Sequence, residues 1–275
     1  MGFFDRLRNS WSLFKVALNF LRRDKSLIAV PILLPIVNLV VFLLAALWVL
    51  ANFGGPSLPF FVVVIFVSYL ASTFLKAAHS WMVYEVALGK NTTLASGLRR
   101  AFQNAADVLW FSLVMTVISI IAGAIRGKGG RGGASMLRGA TAGIIDFLTS
   151  VMGKLVLPAM IVTNKTFRES VEDVRSLSKV LPEAILLEAG LGPLELAAFV
   201  VVFFPLLALA ILSMTVLPMF AFWTMITFVA LTFVLIIALN ILKSFVEITY
   251  YTLLYLALVK KRKIKGVKDV FYLKF

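Results

Sequence analysis

The sequence has no cysteine, which excludes disulfides, thiolate nucleophiles and cysteine-ligated metals. It has one histidine, His79; a zinc site would have to be built from carboxylates, and no carboxylate cluster occurs. Acid is scarce too, with 13 Asp and Glu against 27 Lys and Arg and a formal charge of +14. Charge of either sign is absent from Leu196 to Leu242. As one helix that stretch would be roughly 70 Å long, over twice a bilayer core of about 30 Å, so it must cross a membrane twice. Pro218 lies near its middle and breaks a helix there, giving an expected hairpin of Leu194–Leu217 and Met219–Leu242. Gln103 is the only glutamine, a bias compatible with a thermophilic prokaryote.

What is present agrees with that hairpin. Sixty-one per cent of the 275 residues are hydrophobic and the mean hydropathy is +0.99, beyond what a soluble chain of this length carries. Residues 1–25 are too charged for a signal peptide and no cleavage site follows. Phe4, Leu7, Trp11, Phe14, Leu18 and Leu21 recur at spacings of three and four, while Arg6, Arg8, Lys15, Arg22 and Arg23 lie mostly off that stripe. This predicts an amphipathic helix in the membrane interface, or one packed on other segments at the same face. Four spans are then expected within 27–163: Leu27–Phe53, Leu58 to about Leu88, Ala106–Ile125 and Gly139–Thr163. Thr92 or Thr93 can cap a short helix before the third. Thr166-Phe-Arg-Glu169 has the capping-box form, and Phe167, Val171, Val174, Leu177 and Val180 make one apolar stripe, so 166–181 reads as a cytoplasmic amphipathic helix. The terminal hairpin, 194–259, precedes a basic tail, 260–275.

Lys and Arg set the orientation. Six precede Leu27, three lie in Lys90–Arg100, four in Lys165–Lys179 and seven after Val259. The opposite face carries Arg126, Lys128, Arg131 and Arg138. That asymmetry places both termini in the cytoplasm. The four opposing charges lie in or beside the glycine loop 126–133, whose spacing is not that of a phosphate-binding loop; a re-entrant pair over 106–163 is the alternative to two full crossings.

Few residues carry chemistry. Lys154 falls near the middle of the fourth span, where an ammonium must face protein, water or a counter-charge. Asp146, two turns earlier, is a candidate partner, with a carboxylate from another helix as the alternative. Lys76 with His79, and Lys243 with Glu247, are expected near helix ends, where side chains snorkel to the headgroups. Tyr250, Tyr251 and Tyr255 are expected in an aromatic belt. Lys260, Lys261, Arg262 and Lys263, with the basic residues of 1–25, are candidate contacts for anionic lipid headgroups. No cofactor motif and no catalytic constellation appears, and nucleic acid is not an expected partner.

Trp11-Ser-Leu-Phe-Lys with Leu21-Arg-Arg-Asp-Lys25, Thr93-Leu-Ala-Ser-Gly-Leu-Arg-Arg100, and Val156-Leu-Pro-Ala-Met-Ile-Val162 followed by Phe167-Arg-Glu-Ser170 resemble an uncharacterised family of prokaryotic integral membrane proteins, a domain of unknown function. The resemblance implies six helices and transfers no catalytic residue. The glycine loop is more basic here than that family leads one to expect.

The expected fold is an all-α polytopic membrane helix bundle of six spans in three hairpins, in the cell membrane. Three functions follow in order. The first is a non-enzymatic scaffold or assembly factor, whose partner is another protein or a second copy. The second is a transporter or channel for a small solute or lipid, using Lys154 and the proline-broken spans (Pro31, Pro35, Pro158, Pro205). The third is an intramembrane enzyme. A continuous polar cavity reaching Lys154 favours the second; a solid bundle with an apolar groove favours the first.

Overall fold

The computed structural model describes residues 15, 17–51, 57–127, 153–176, 196, 199–208, 211 and 221–259. All regular structure among them is helical. We label the helices α1 (Ala29–Ala51), α2 (Leu58–Ala87), α3 (Leu94–Gln103), α4 (Ala105–Gly127), α5 (Gly153–Thr163), α6 (Phe167–Ser176), α7 (Phe199–Ala208) and α8 (Ala221–Val259). A 3-10 turn, Lys25–Ile28, leads into α1, and residues 17–23 are also helical.

Three stretches are long and apolar enough to cross a membrane: Lys25–Ala51, Pro59–Ala87 and Trp223–Leu256. α3 and α4 make a fourth if counted together across their 80° bend. The six-hairpin-arm arrangement exceeds what these helices establish. The Pro218 turn, the loop beyond Gly127, Asp146, Arg6, Arg8 and the Lys260–Lys263 cluster lie outside the described residues.

α1 and α2 run antiparallel. Trp48 stacks on Phe60 with ring centroids 4.2 Å apart at one end, and Ser72 bonds Asn38 midway. Both prolines of α1 are tolerated: Pro31 falls in the first turn, where its missing N–H has no partner to lose, and Pro35 follows one turn later.

α2 ends at Leu88 and Gly89, whose φ of +77° suits glycine. Thr93 then starts α3 by a reciprocal cap with Ser96. The chain turns sharply at Asn104, whose side chain bonds back to the Arg100 carbonyl. α3 can lie close against α2 because Gly97 has no side chain: a Cβ there would sit 2.6 Å from the Ala78 carbonyl oxygen.

The predicted capping box at Thr166 forms, with the Thr166 N–H donating to Glu169 and the Glu169 N–H to the Thr166 hydroxyl. Of the helix expected over 166–181, Phe167–Ser176 is described. Among residues 17–23, Ala17 and Phe20 are buried in the protein core; this turn packs on protein, and Lys15, Arg22 and Arg23 face outward.

The core gathers at one end: Phe20 and Leu27, Ala77 to Val86 of α2, Ala101, Val108, most of α5, Val174, and Phe245 to Leu256 of α8. α8 has 39 residues, about 58 Å at 1.5 Å per residue. Its first half is largely exposed and its second half buried.

Candidate functional site

A polar chamber of about 510 Å³ opens between α1, α2, α4 and α5. α2 supplies most of its polar wall through a repeat of four: Ser68, Ser72 and Lys76 fall on one stripe of the helix, flanked by Tyr69 and Thr73, while Phe111, Met115, Ile118 and Leu157 make the apolar part. Asn38 of α1, Ser119 of α4 and Lys154 of α5 complete the polar lining. The hydroxyls are held in place. Ser72 donates to Asn38 Oδ1 at 3.1 Å, Tyr69 and Ser119 share a bond of 2.8 Å, and Thr73 donates to the Tyr69 carbonyl at 2.7 Å.

At the foot of this chamber Lys154 Nζ meets Glu247 Oε1 of α8 at 2.6 Å. Lys154 also lies 5.6 Å from the Tyr251 ring centroid. Lys76 stands beside the pair, within electrostatic reach of both members. It is exposed and opens into the chamber. No carboxylate lies within ion-pairing distance of Lys76 among the described residues. A second, smaller cavity of about 60 Å³ lies on the other side of the pair, lined by Lys76, Ser80, Lys154, Ser244, Glu247 and Tyr251. Both lysines therefore border both cavities.

Several expectations change here. The carboxylate that Lys154 meets is Glu247, whereas Asp146 lies outside the described residues. Glu247 does not snorkel with Lys243; it turns inward across to α5. His79 does not snorkel either. It is fully buried, with Nε2 at 3.2 Å from the Thr249 hydroxyl and its ring edge-on to Phe245. Its Nδ1 has no partner. Tyr250, Tyr251 and Tyr255 form no exposed belt, being 7%, 1% and 0% exposed. Their faces are taken by the core around α2 and α5, because α8 turns this side inward below residue 244.

Beneath the chamber the short helices are tied together by charged and polar contacts. Asp24 accepts from the Ser26 and Thr92 N–H groups, both at 2.9 Å. Burial pushes its carboxyl up, but these bonds outweigh that and hold it below the ordinary value. Glu85 accepts from the hydroxyls of Thr92 and Ser96, at 2.6 and 2.7 Å. Arg100 lies over Trp81 at 4.7 Å and donates to the Ile161 carbonyl at 3.1 Å. The Phe167 N–H donates to Asp107 at 2.9 Å. On α6, the Thr166 N–H and hydroxyl hold the Glu169 carboxyl below its usual range, and Asp173 holds the Lys165 ammonium above its own. These bonds form a clasp that joins Asp24 to Thr92, Arg100 to Ile161 and Asp107 to Phe167, segments far apart in the chain.

The clasp residues Asp24 and Glu85 and the chamber hydroxyls were not singled out from the sequence. The four-residue stripe Ser68, Ser72, Lys76, Ser80 was the available signal, because polar residues at helical spacing in an apolar span must face something other than lipid. No group of three or more His, Cys, Asp or Glu that could hold a metal occurs among the described residues.

No family model matches the sequence, and neither a curated protein nor a solved structure is detectably similar to it.

Proposed function

We propose that this protein is a polytopic membrane protein that binds a small polar solute in the chamber above Lys154 and passes it across the bilayer. The observation that carries this reading is the polar chamber itself. It reaches Lys154 between α4, α5 and two helices long and apolar enough to cross a membrane, α1 and α2, and its volume falls in the range of roughly 300–1,000 Å³ common for small-molecule sites. A bundle that served only as a scaffold would have no need of two lysines, five hydroxyls and an asparagine around a space of this size. Each polar group kept from water there carries a desolvation cost.

Six crossings with both termini in the cytoplasm belong to the same proposal. Its support is that segments counted to one face by their lysines and arginines are in contact: the Thr92 N–H donates to Asp24, and Arg100 donates to the Ile161 carbonyl, four residues before Lys165. Anionic headgroups would then contact Lys15, Arg22 and Arg23 at that face, together with Lys260–Lys263.

The experiment is binding and flux with purified protein in phosphatidylcholine liposomes, using neutral (glycerol, mannitol), cationic (choline) and anionic (sulfate, methanesulfonate) probes. Ser72→Trp fills the chamber from a half-buried position. At least one probe should bind and cross with the wild type and do neither with a folded Ser72→Trp. A panel that neither binds nor crosses overturns the reading and returns the protein to the scaffold class.

A further inference from the structure

Resting on that reading of the chamber, we infer that its ligand is a small oxyanion, and that Glu247 is a resident anion which the ligand displaces from Lys154 as the carboxylate takes up a proton.

The charge inventory points this way. Two ammonium groups border the chamber, and among the described residues one carboxylate, Glu247, pairs with them. Lys76 adds a positive charge that no carboxylate among the described residues offsets at ion-pairing distance. An ammonium offers donors only, and the lining hydroxyl of Ser68, with that of Ser119 when Tyr69 is the donor of their shared bond, can donate as well. Such a set fits an acceptor-rich, negatively charged guest, with lysine acting as a point-charge anion binder. A cation would meet two ammoniums, and a neutral solute would leave Lys76 uncompensated.

The position of Lys154 supplies the coupling. It borders the chamber on one side and the small cavity holding Glu247 on the other. Its flexible four-carbon stem allows the ammonium to turn from one to the other without moving a helix. In a site of low dielectric neither charge can be left alone. If an oxyanion takes Lys154, Glu247 must find another positive partner or be neutralised. Lys76 is the remaining ammonium in the cavity linings, but it borders the same chamber and is drawn to the same guest, whereas Lys243, one turn back on the helix of Glu247, lines neither cavity. A proton on Glu247 closes the balance, one proton per anion bound. The charged and titratable groups around the carboxylate are Lys154 from α5, Lys76 from α2, and Lys243 and Tyr251 on its own helix, with Tyr69 across the chamber. α1 and α4 bring no titratable side chain to the chamber lining. His79 is directed to Thr249 and Phe245 instead.

The test is binding of radiolabelled sulfate at constant ionic strength, to the full chain in phosphatidylcholine nanodiscs between pH 5 and 8. Sulfate keeps its charge over that range, so any slope belongs to the protein. The wild type should bind more tightly as pH falls, by up to about tenfold per unit for one linked proton. Glu247→Gln should bind as tightly as the acidic wild type at every pH. Lys76→Gln, which breaks no ion pair, should weaken binding about tenfold or more. A lipid arm uses phosphatidylglycerol nanodiscs without sulfate. Acid-dependent, Lys76-dependent stabilisation there, with sulfate inert, would make the oxyanion a lipid headgroup and uphold the inference. Sulfate binding that is flat with pH overturns the role of Glu247, and binding of mannitol or choline alone overturns the oxyanion; the chamber survives both. If no probe binds at all, the chamber reading falls first, and this inference with it.

Discussion

The two halves of α8 follow opposite rules within one helix. From Trp223 to Ile236 large apolar side chains are exposed: Phe233, Val234 and Trp223 are each 60% or more open. From Phe245 to Leu256 nearly every residue is buried, and polar groups are buried with them, Thr249 and Thr252 at 0%. The same division runs through α1, where Val30 and Leu34 are covered and Phe42, Leu43, Leu44, Leu47 and Leu50 are exposed. One end of the molecule is organised as a protein core that buries polar groups, many of them hydrogen-bonded and a few, such as His79 Nδ1, without a partner. The other presents exposed apolar helices that are long and apolar enough to cross a membrane. The chamber, the ion pair and the clasp all lie at or next to the first kind of surface. Hydrophobicity alone does not separate the two halves of α8, since both are apolar; the covered half is the one that carries Glu247, Thr249 and Thr252 among its apolar residues.

The largest effect should come from the covered half. Phe245→Ala empties a position 1% exposed, between His79 and the core. It should cost about 3–5 kcal/mol, read as a lower denaturation midpoint of the detergent-solubilised protein. A loss under about 1 kcal/mol, the scale of an unremarkable substitution, would mean that this half is not the packed one.

Lys154→Met comes next. Truncating one partner of a buried pair costs about 3–5 kcal/mol, and here less, because the two side chains keep 26% and 20% of their surface. Lys154→Met with Glu247→Gln should regain much of the loss. Non-recovery in the double variant would show that Glu247 is not the partner that matters.

That pair also marks where sequence reading ends. Thr166 with Glu169, and Thr93 with its helix, are local signals three residues apart, and both caps form as their spacing requires. Lys154 could be read as a charge needing a partner, but Glu247 sits on a helix remote in the chain, and only packing brings them together. Tyr250, Tyr251 and Tyr255 were misread for a related reason. A tyrosine near the end of an apolar span suits an interface belt and a protein core equally well, and the choice depends on neighbours from α2 and α5. The chamber was half legible: Lys154 announced it, while Ser68 and Ser72 passed as tolerated small polar residues.

A smaller effect tests how closely the covered end is built. Gly97→Val places a branched side chain against the Ala78 carbonyl, where even a Cβ would approach to 2.6 Å. Displacing backbone there should cost about 1–3 kcal/mol. Gly123→Val, whose Cβ would meet nothing within 4 Å, is the control. Equal melting for both variants would contradict the close crossing of α3 on α2.

Asp24 gives a pH signature of similar or lower size. Its carboxyl is held below the ordinary value in the folded protein, so its contribution is present above the unfolded carboxylate pKa of about 4 and fades as pH falls toward the folded value. Asp24→Asn removes the charge from both of its N–H contacts and should cost about 1 kcal/mol at pH 7. Below about pH 4 the gap between the two melting curves should close. A gap that widens in acid would have the wrong sign for a depressed carboxylate.

The smallest effect belongs to the bare half. Phe233→Ala removes a ring that is 60% exposed, twelve residues before Phe245 on the same helix. In water an exposed phenylalanine would be a liability. In a membrane the ring touches acyl chains whether or not the helices have associated, so its removal changes both states alike and there is little hydrophobic gain to lose. The expected change in stability is therefore within about 0.5 kcal/mol, in detergent and in bilayer nanodiscs. The ratio between the two phenylalanines is the sharper measurement, because it cancels helix propensity and the chemistry of the substitution. If Phe233→Ala costs as much as Phe245→Ala, the face it occupies is covered by protein, either a second copy or segments of this chain outside the described residues. A cost that appears at high protein concentration and vanishes on dilution into excess detergent would identify the cover as a second copy, and the bare half of α8 would then be an interface between protomers instead of a lipid-facing wall.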